Sequence, residues 1–460
     1  MADPNSPTGD TPTIEDAATD CGTATNRPNV LVITCHDLGR HLGCYGRGAE
    51  TPALDGLADE GARFEDSVCV APQCSPSRAA MFTGRYPHQN GVMGLTHGEF
   101  AWDLDDGERH LAGILGDSGW HTAAVGVQHA TRRPEAFFDE TALAANDCED
   151  VASEAINVLD KRADADAPVY LQAGFFEPHR RPDTESGFGE VPDDHDATAP
   201  VPEYLADEAS ASEEFAAFEG AVRRVDAAIG RVLDELEQAG VAEETLVVST
   251  TDHGIPFPRA KCSPYDPGLA TALLLRWPDG PVPAGATFDE PIPNVDYLPT
   301  LLDLADVSTP EPVEGRSFAP LLAGDDYRSR EAIFGELTYH DYPDPRRWVR
   351  TEEHKLIVNF SNAPFFMDPS QTWRPETVTR DPANPALAYH PPIECYDLRA
   401  DPGETDNLAD DPEYASVRED LLDQLHGWMV ATDDPLLNGI PDSPMHDRAI
   451  DALEDGTDDR

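Results

Sequence analysis

The chain has 460 residues, of which 88 are Asp or Glu and 32 are Lys or Arg, giving a formal net charge of −56. Because 40% of residues are hydrophobic, a large buried core is available, and the acidity belongs to a folded surface rather than to disorder. The balance excludes a nucleic-acid partner, since no basic stripe is present to neutralise phosphates, and no apolar run reaches membrane-span length.

Lysine occurs three times, at Lys161, Lys261 and Lys355. Lysine depletion with a carboxylate excess is the pattern of adaptation to molar salt, where hydrated carboxylates keep a protein in solution. At about 1 M salt the Debye length is about 3 Å, so the global charge does not repel an anionic substrate and local groups decide binding. The eight cysteines show no C-x-x-C spacing, which predicts mostly free thiols. With no basic, apolar leader at the N-terminus, a cytoplasmic location is expected.

In chain order, residues 1–27 read as a disordered acidic tail. Apolar β-branched runs then alternate with amphipathic segments, which predicts an α/β domain over 28–325 with helices on both faces of a large, mixed, mostly parallel sheet. The predicted elements are a strand over 29–34, a helix over 51–64, strands over 121–127 and 168–174, a long helix over 212–239, and strands over 245–251 and 271–276. Shorter strands near 332–337, 348–351 and 355–359, with a helix over 412–430, predict a smaller C-terminal α+β domain over 326–440. Residues 441–460 read as a second disordered acidic tail.

The chemistry concentrates at three places. Cys74-Ser75-Pro76-Ser77-Arg78, with Thr83-Gly84-Arg85 following, is the C-x-P-S-R peptide that formylglycine-generating systems oxidise to an aldehyde. The aldehyde hydrate carries two hydroxyls on one carbon, one to attack and one to expel the product. A buried structural cysteine is the blander alternative, and Cys69 fits it. The first strand ends in His36-Asp37 and the strand over 245–251 ends in Asp252-His253. Ligands of open α/β sheets gather at the carboxyl ends of strands, so these pairs could converge to hold a divalent cation. Carboxylates favour Ca²⁺ or Mg²⁺, while imidazoles move the preference toward Mn²⁺ or Zn²⁺. His41, His88, His97, His110 and His121 read as ordinary polar residues.

With these motifs the chain resembles the sulfatase family of the alkaline phosphatase superfamily, from about Asn29 to beyond residue 430. Within it, Cys74 to Ala79, His88-Gln89-Asn90-Gly91, Glu177-Pro178-His179-Arg180, Gly254 to Pro258 and the segment Glu394 to Ala409 are similar to its sulfamidase branch. The resemblance implies hydrolysis of a sulfate ester or sulfamate, with Cys74 as formylglycine precursor and nucleophile and Arg78 holding its hydrate. It further implies that Asp37, Asp252, His253, His36 and residue 74 bind one divalent cation, calcium first with Mg²⁺ or Mn²⁺ as alternatives. His129 is implied to assist breakdown of the sulfated intermediate, and His179 and Lys261 to contact the sulfate and the leaving group. The implied partners are a small anionic sulfated substrate and a formylglycine-generating enzyme. Two positions depart from the family pattern: His36 stands where an Asp is usual and Val127 where a Lys is usual, with Arg132 and Arg133 the nearest replacement cations. A formylglycine-dependent phosphodiesterase or phosphonate hydrolase, and a non-catalytic binder of sulfated ligands, are the competing readings.

Overall fold

The computed structural model describes residues 27–162, 165–181, 184, 186–191, 201–202, 204–205, 209–362 and 389–458. The predicted N-terminal tail lies almost wholly outside them. The catalytic part holds strands β1 (Asn29–Cys35), β2 (Ala62–Phe64), β3 (Ser67–Val68), β4 (His121–Gly126), β5 (Glu140–Ala142), β6 (Val169–Phe175), β7 (Thr245–Thr251), β8 (Leu273–Arg276), β9 (Ala286–Phe288) and β10 (Ile292–Pro293). Eight of them form one sheet in the order β5-β4-β6-β1-β7-β8-β2-β9. β8 alone runs antiparallel to its neighbours β7 and β2.

The sheet is covered on both faces, and its central strands β1, β6 and β7 are buried at every position but Asn29. In β1, Leu31, Ile33 and Cys35 point into a core shared with helices Cys148–Arg162 and Ala209–Ala239. Val30 and Val32 point into a second core with helices Leu111–Asp117 and Tyr297–Leu304. Burial on both sides removes the polar alternation of a half-exposed strand, as expected for parallel sheets.

The second sheet, in the order β11 (Ile333–Tyr339), β12 (Pro343–Arg350), β13 (His354–Asn359) and β14 (Ile393–Asp397), is antiparallel. Helix Ala415–Ala431 packs on it, and Leu421, Leu425, Trp428 and Met429 share a core with Val70, Ala80 and Tyr86 of the catalytic part. Ion pairs cross the same boundary. Lys355 Nζ, held at 2.6 Å by Glu404 of its own part, also meets Asp266 of the catalytic part, and Arg350 meets Asp66 at 2.9 Å.

Three local expectations are corrected. The helix predicted over 51–64 ends at Glu60, because Gly61 turns the chain into β2, which pairs with β8 and β9. A Cβ at Gly61 would lie 2.0 Å from the Leu275 carbonyl oxygen, so the close strand approach requires glycine there. β14 is a strand that went unpredicted. The predicted disordered tail contains helix Pro444–Asp458, which lies on the surface with Arg448 Nη2 3.4 Å from Glu99.

Candidate active site

Adjacent parallel strands deliver the two Asp/His pairs to one rim. β1 and β7 pair in register from Asn29↔Thr245 to Cys35↔Thr251, so the residues that follow, His36-Asp37 and Asp252-His253, emerge side by side. Asp37 adopts φ +61°, a left-handed conformation that Asp tolerates at modest cost, and its backbone N–H donates to Asp252 Oδ1 at 3.0 Å. The same oxygen accepts the His253 N–H at 3.0 Å.

Cys74 opens helix Cys74–Thr83, every residue of which is buried. Ser77 fixes the helix by donating its hydroxyl to the Asp252 carbonyl, and Asn294 donates to Ser77 Oγ at 2.9 Å. One turn below Cys74, Arg78 donates Nε to Asp252 Oδ2 at 3.0 Å and Nη1 to the Val127 carbonyl at 2.9 Å. Its Nη2 is buried with no hydrogen-bond partner. Such a group is costly unless something else occupies the space in front of it.

His253 Nε2 lies 3.4 Å from Cys74 Sγ. Burial pushes the Cys74 thiol up to about 12, so the unmodified side chain stays protonated near neutral pH when no cation is bound.

Lys261 reaches the centre from beyond β7. Its Nζ donates to Asp37 Oδ1 and Oδ2 at 3.0 and 2.9 Å and lies 3.0 Å from His179 Nε2. Burial alone would lower the Lys261 ammonium; Asp37 outweighs it and holds the charge. Burial likewise raises the Asp37 carboxyl, and His179, Lys261 and His253 reverse that to hold it well below the usual carboxylate range. His179 Nδ1 lies 2.8 Å from its neighbour's carbonyl, the Arg180 oxygen, which fixes Nδ1 as the protonated nitrogen and Nε2 as the acceptor. Burial pushes His179 down to about 4, with Asp37 opposing.

His129, also at positive φ (+51°), lies across from His36 with ring centroids 5.6 Å apart, and burial followed by Arg78 holds it well below the ordinary histidine value.

The donor atoms of His36, Asp37, Cys74, Asp252 and His253 lie within 4.8 Å of one another. Neither ring nitrogen of His36 makes a hydrogen bond, although the residue is 1% exposed and Nε2 stands 3.3 Å from Asp252 Oδ2. Burial, with His179, Arg78 and Lys261 adding to it, keeps this imidazole neutral and able to donate a lone pair. An orphaned buried nitrogen among carboxylates and a second imidazole fits a bound cation. Asp37 and Asp252 offset Arg78 and Lys261, so the cluster is formally neutral before an ion is counted.

Other positions fall differently. The side chain of Val127 supplies no cation; its carbonyl orients Arg78. Neither Arg132 nor Arg133 takes that place: Arg132 is exposed, and Arg133 pairs outward with Asp103 at 3.0 Å and Asp106 at 3.3 Å. His88 is bound to Glu336 at 2.8 Å, away from the centre. His97 stacks on His129 at 5.2 Å and joins the rim.

The turn between β11 and β12 was missed as part of the site. Gln73, next to Cys74, donates its side chain to the Tyr339 carbonyl. His340 and Asp341 follow, near enough for Lys261 to influence both, with His340 Nδ1 3.3 Å from Asp341 Oδ2. The available signal was a third His-Asp pair after a strand, in a part of the chain assigned to the second domain.

A doubly covered, mostly parallel sheet with a smaller antiparallel sheet after it, and a cluster of carboxylates and imidazoles at its carboxyl edge that could hold a cation, is the architecture of the alkaline phosphatase-like hydrolases. A sulfatase family model matches residues 28–307, and a model described as N-sulphoglucosamine sulphohydrolase, C-terminal, matches residues 260–383. The chain therefore belongs to the sulfatase family, and its class is that of the sulfuric ester hydrolases. It is 30% identical to human N-sulphoglucosamine sulphohydrolase over 88% of this chain and 91% of that protein. It is also 30% identical to human arylsulfatase A, over 83% of each. A structure solved with its substrate D-glucosamine-2-N,6-O-disulfate superposes with a TM-score of 0.68 at 21% identity, covering 89% of this chain and 98% of that one. The phosphonate monoester hydrolase of Agrobacterium radiobacter gives 0.69 at 19% identity, covering 88% and 96%. At those identities the two structures bear on the fold alone.

Proposed function

We propose that this enzyme cleaves a sulfate ester or sulfamate of an amino sugar or related small organosulfate through a formylglycine made from Cys74. The observation that carries the reading is the position of Cys74. It opens a fixed, buried helix, one turn from an Arg78 with an unpartnered N–H, with His253 at 3.4 Å and Lys261 near enough to act on it.

One hydroxyl of the hydrate attacks sulfur and the bond to the leaving oxygen or nitrogen breaks, leaving a sulfate ester on residue 74. The leaving atom takes its proton from the Lys261–His179 pair, which shares hydrogen between Nζ and Nε2. A nitrogen leaving group needs that proton more than an oxygen does, because an amide anion is too basic to depart. His129 then removes the proton of the second hydroxyl, the carbon–oxygen bond to sulfate breaks, and the aldehyde returns. Arg78 and Lys261 meet the charge on the sulfate oxygens. His36, Asp37, Asp252 and His253, with an oxygen of mature residue 74, would hold a divalent cation, whose charge lowers the cost of ionising the attacking hydroxyl.

His340 and Asp341 of the smaller domain complete the rim, and the carboxylate suits an amine or hydroxyl of the substrate. The seven free cysteines of the described residues form no disulfide, which supports a reducing cytoplasm at high salt, with a formylglycine-generating enzyme as maturation partner.

The test combines mass spectrometry of the tryptic peptide 64–78 from the native host with assays of inorganic sulfate release from N-sulfoglucosamine and from nitrophenyl sulfate. An aldehyde at residue 74 and sulfate release are expected. An unmodified thiol in active protein removes the nucleophile proposed here, and faster turnover of a paired nitrophenyl phosphodiester moves the enzyme to the phosphonate-hydrolase reading.

A further inference from the structure

We propose that the cation of this site is a first-row transition-metal ion of the Zn²⁺ or Mn²⁺ kind and not calcium; the proposal rests on the reading of the cluster as a cation site. Ca²⁺ is satisfied by six to eight oxygen ligands. This cluster contains only two carboxylates, and their oxygens already have donors. Asp37 accepts Lys261 on both oxygens, Asp252 Oδ1 accepts two backbone N–H groups, and Asp252 Oδ2 accepts Arg78. The remaining donors are imidazoles. His36 is buried with both nitrogens unbonded, and His253 points Nε2 at the centre, 3.3 Å from Asp37 Oδ1, while its Nδ1 is engaged by the Gly254 carbonyl at 2.9 Å. That second contact fixes the His253 tautomer with its lone pair on Nε2, the arrangement of metal-binding histidines. Two imidazole nitrogens and two partly committed carboxylates, joined in the mature protein by one oxygen of residue 74, make a compact set of at most five donors. Such a set suits borderline ions and leaves calcium undercoordinated.

The test uses the full chain as the Cys74→Ala variant, so that a free thiol cannot bind the metal and imitate the result. Demetallated protein in high KCl is titrated separately with Zn²⁺, Mn²⁺ and Ca²⁺ by calorimetry, and with Co²⁺ by visible absorption, which reports nitrogen ligation directly. One equivalent of Zn²⁺ or Mn²⁺ is expected to bind at least about 100-fold tighter than Ca²⁺, and His36→Asp to shift that ratio toward Ca²⁺ by about tenfold or more. Ca²⁺ binding as tightly as the transition metals overturns the proposal. So does an unchanged ratio in folded His36→Asp protein. Should that variant fail to fold, the metal content of native enzyme purified from medium with equimolar Zn²⁺, Mn²⁺ and Ca²⁺ decides, calcium being the refuting result. The outcomes are separable from the proposed function: sulfate release by a calcium-loaded enzyme would leave the hydrolase reading standing while this inference falls.

Discussion

Arg78 carries two tasks with one guanidinium: its Nε neutralises the buried Asp252 and its Nη2 is left buried without a partner. An ammonium can do the first but cannot present the second in a fixed plane. Arg78→Lys is therefore expected to keep its fold by circular dichroism while kcat for sulfate release falls by about 10²- to 10³-fold, the range for losing one aligned donor to developing charge. Titration gives a second expectation. His129 lies well below its ordinary value and His179 near 4, both through burial, so each is neutral and available as a base well into the acid range. In the proposed mechanism protonating His129 removes the acceptor that releases sulfate, so kcat should fall with decreasing pH, along a limb lying below 6.5. A limb centred at or above 6.5 in the measured profile would be incompatible with these histidines as the titrating groups. Lys261 shows what the sequence could and could not tell. Its scarcity marked it as a retained residue, and two of the three lysines, Lys261 and Lys355, do prove to be buried ion-pair partners while Lys161 is exposed. Which carboxylates they meet depends on contacts across 224 residues for Asp37, and no local pattern announces that.

Among the elements, the ends of β4 and β6 set the position of Arg78's second anchor. Gly126 turns at φ +69° and leads into Val127, whose N–H donates to the Gly174 carbonyl at 2.8 Å and whose carbonyl holds Arg78. A Cβ on Gly174 would lie 1.8 Å from that Val127 oxygen. Gly174→Ala must push the strand ends apart, and it is expected to cost about 2–4 kcal/mol in denaturant unfolding and to lower kcat in whatever protein remains folded. A variant within about 0.5 kcal/mol of the parent, with full activity, would show that the strand ends move freely. The elements also divide by how legible they were. β1, β6 and β7 announced themselves as continuous apolar runs, and the rule that ligands gather at carboxyl strand ends located His36-Asp37 and Asp252-His253 before any coordinates. Helix Pro52–Glu60 was drawn too long because β2 has only three residues and owes its conformation to strands some 210 and 225 positions away, not to its own composition. The β11–β12 turn was legible as a turn but not as part of the site, since its contact with Gln73 spans 266 residues.

At the scale of the whole molecule, the charge of −56 is a self-repulsion that salt screens. The Debye length shortens from about 10 Å at 0.1 M to about 3 Å at 1 M, so Tm measured by calorimetry should rise steeply over that interval. The buried Lys355–Glu404 pair and the half-buried pairs of Lys355 and Arg350 with Asp266 and Asp66 are screened less and should persist. A Tm independent of KCl would mean that the acidic surface is not what limits stability. The same two-part body imposes an order of events on its own maturation. Cys74 is only 3% exposed in the finished fold, and the Gln73–Tyr339 bond closes beside it with a segment made more than 260 residues later. On the proposed reading of Cys74 as a formylglycine precursor, the oxidising enzyme has to grip the peptide around residue 74 while it is still extended. The interval between the emergence of Cys74 from the ribosome and the synthesis of β11 is a window for that grip. Protein that folds unmodified has missed it, so overproduction that outruns the maturation enzyme should yield a stable, inactive population that later exposure to that enzyme does not rescue without unfolding.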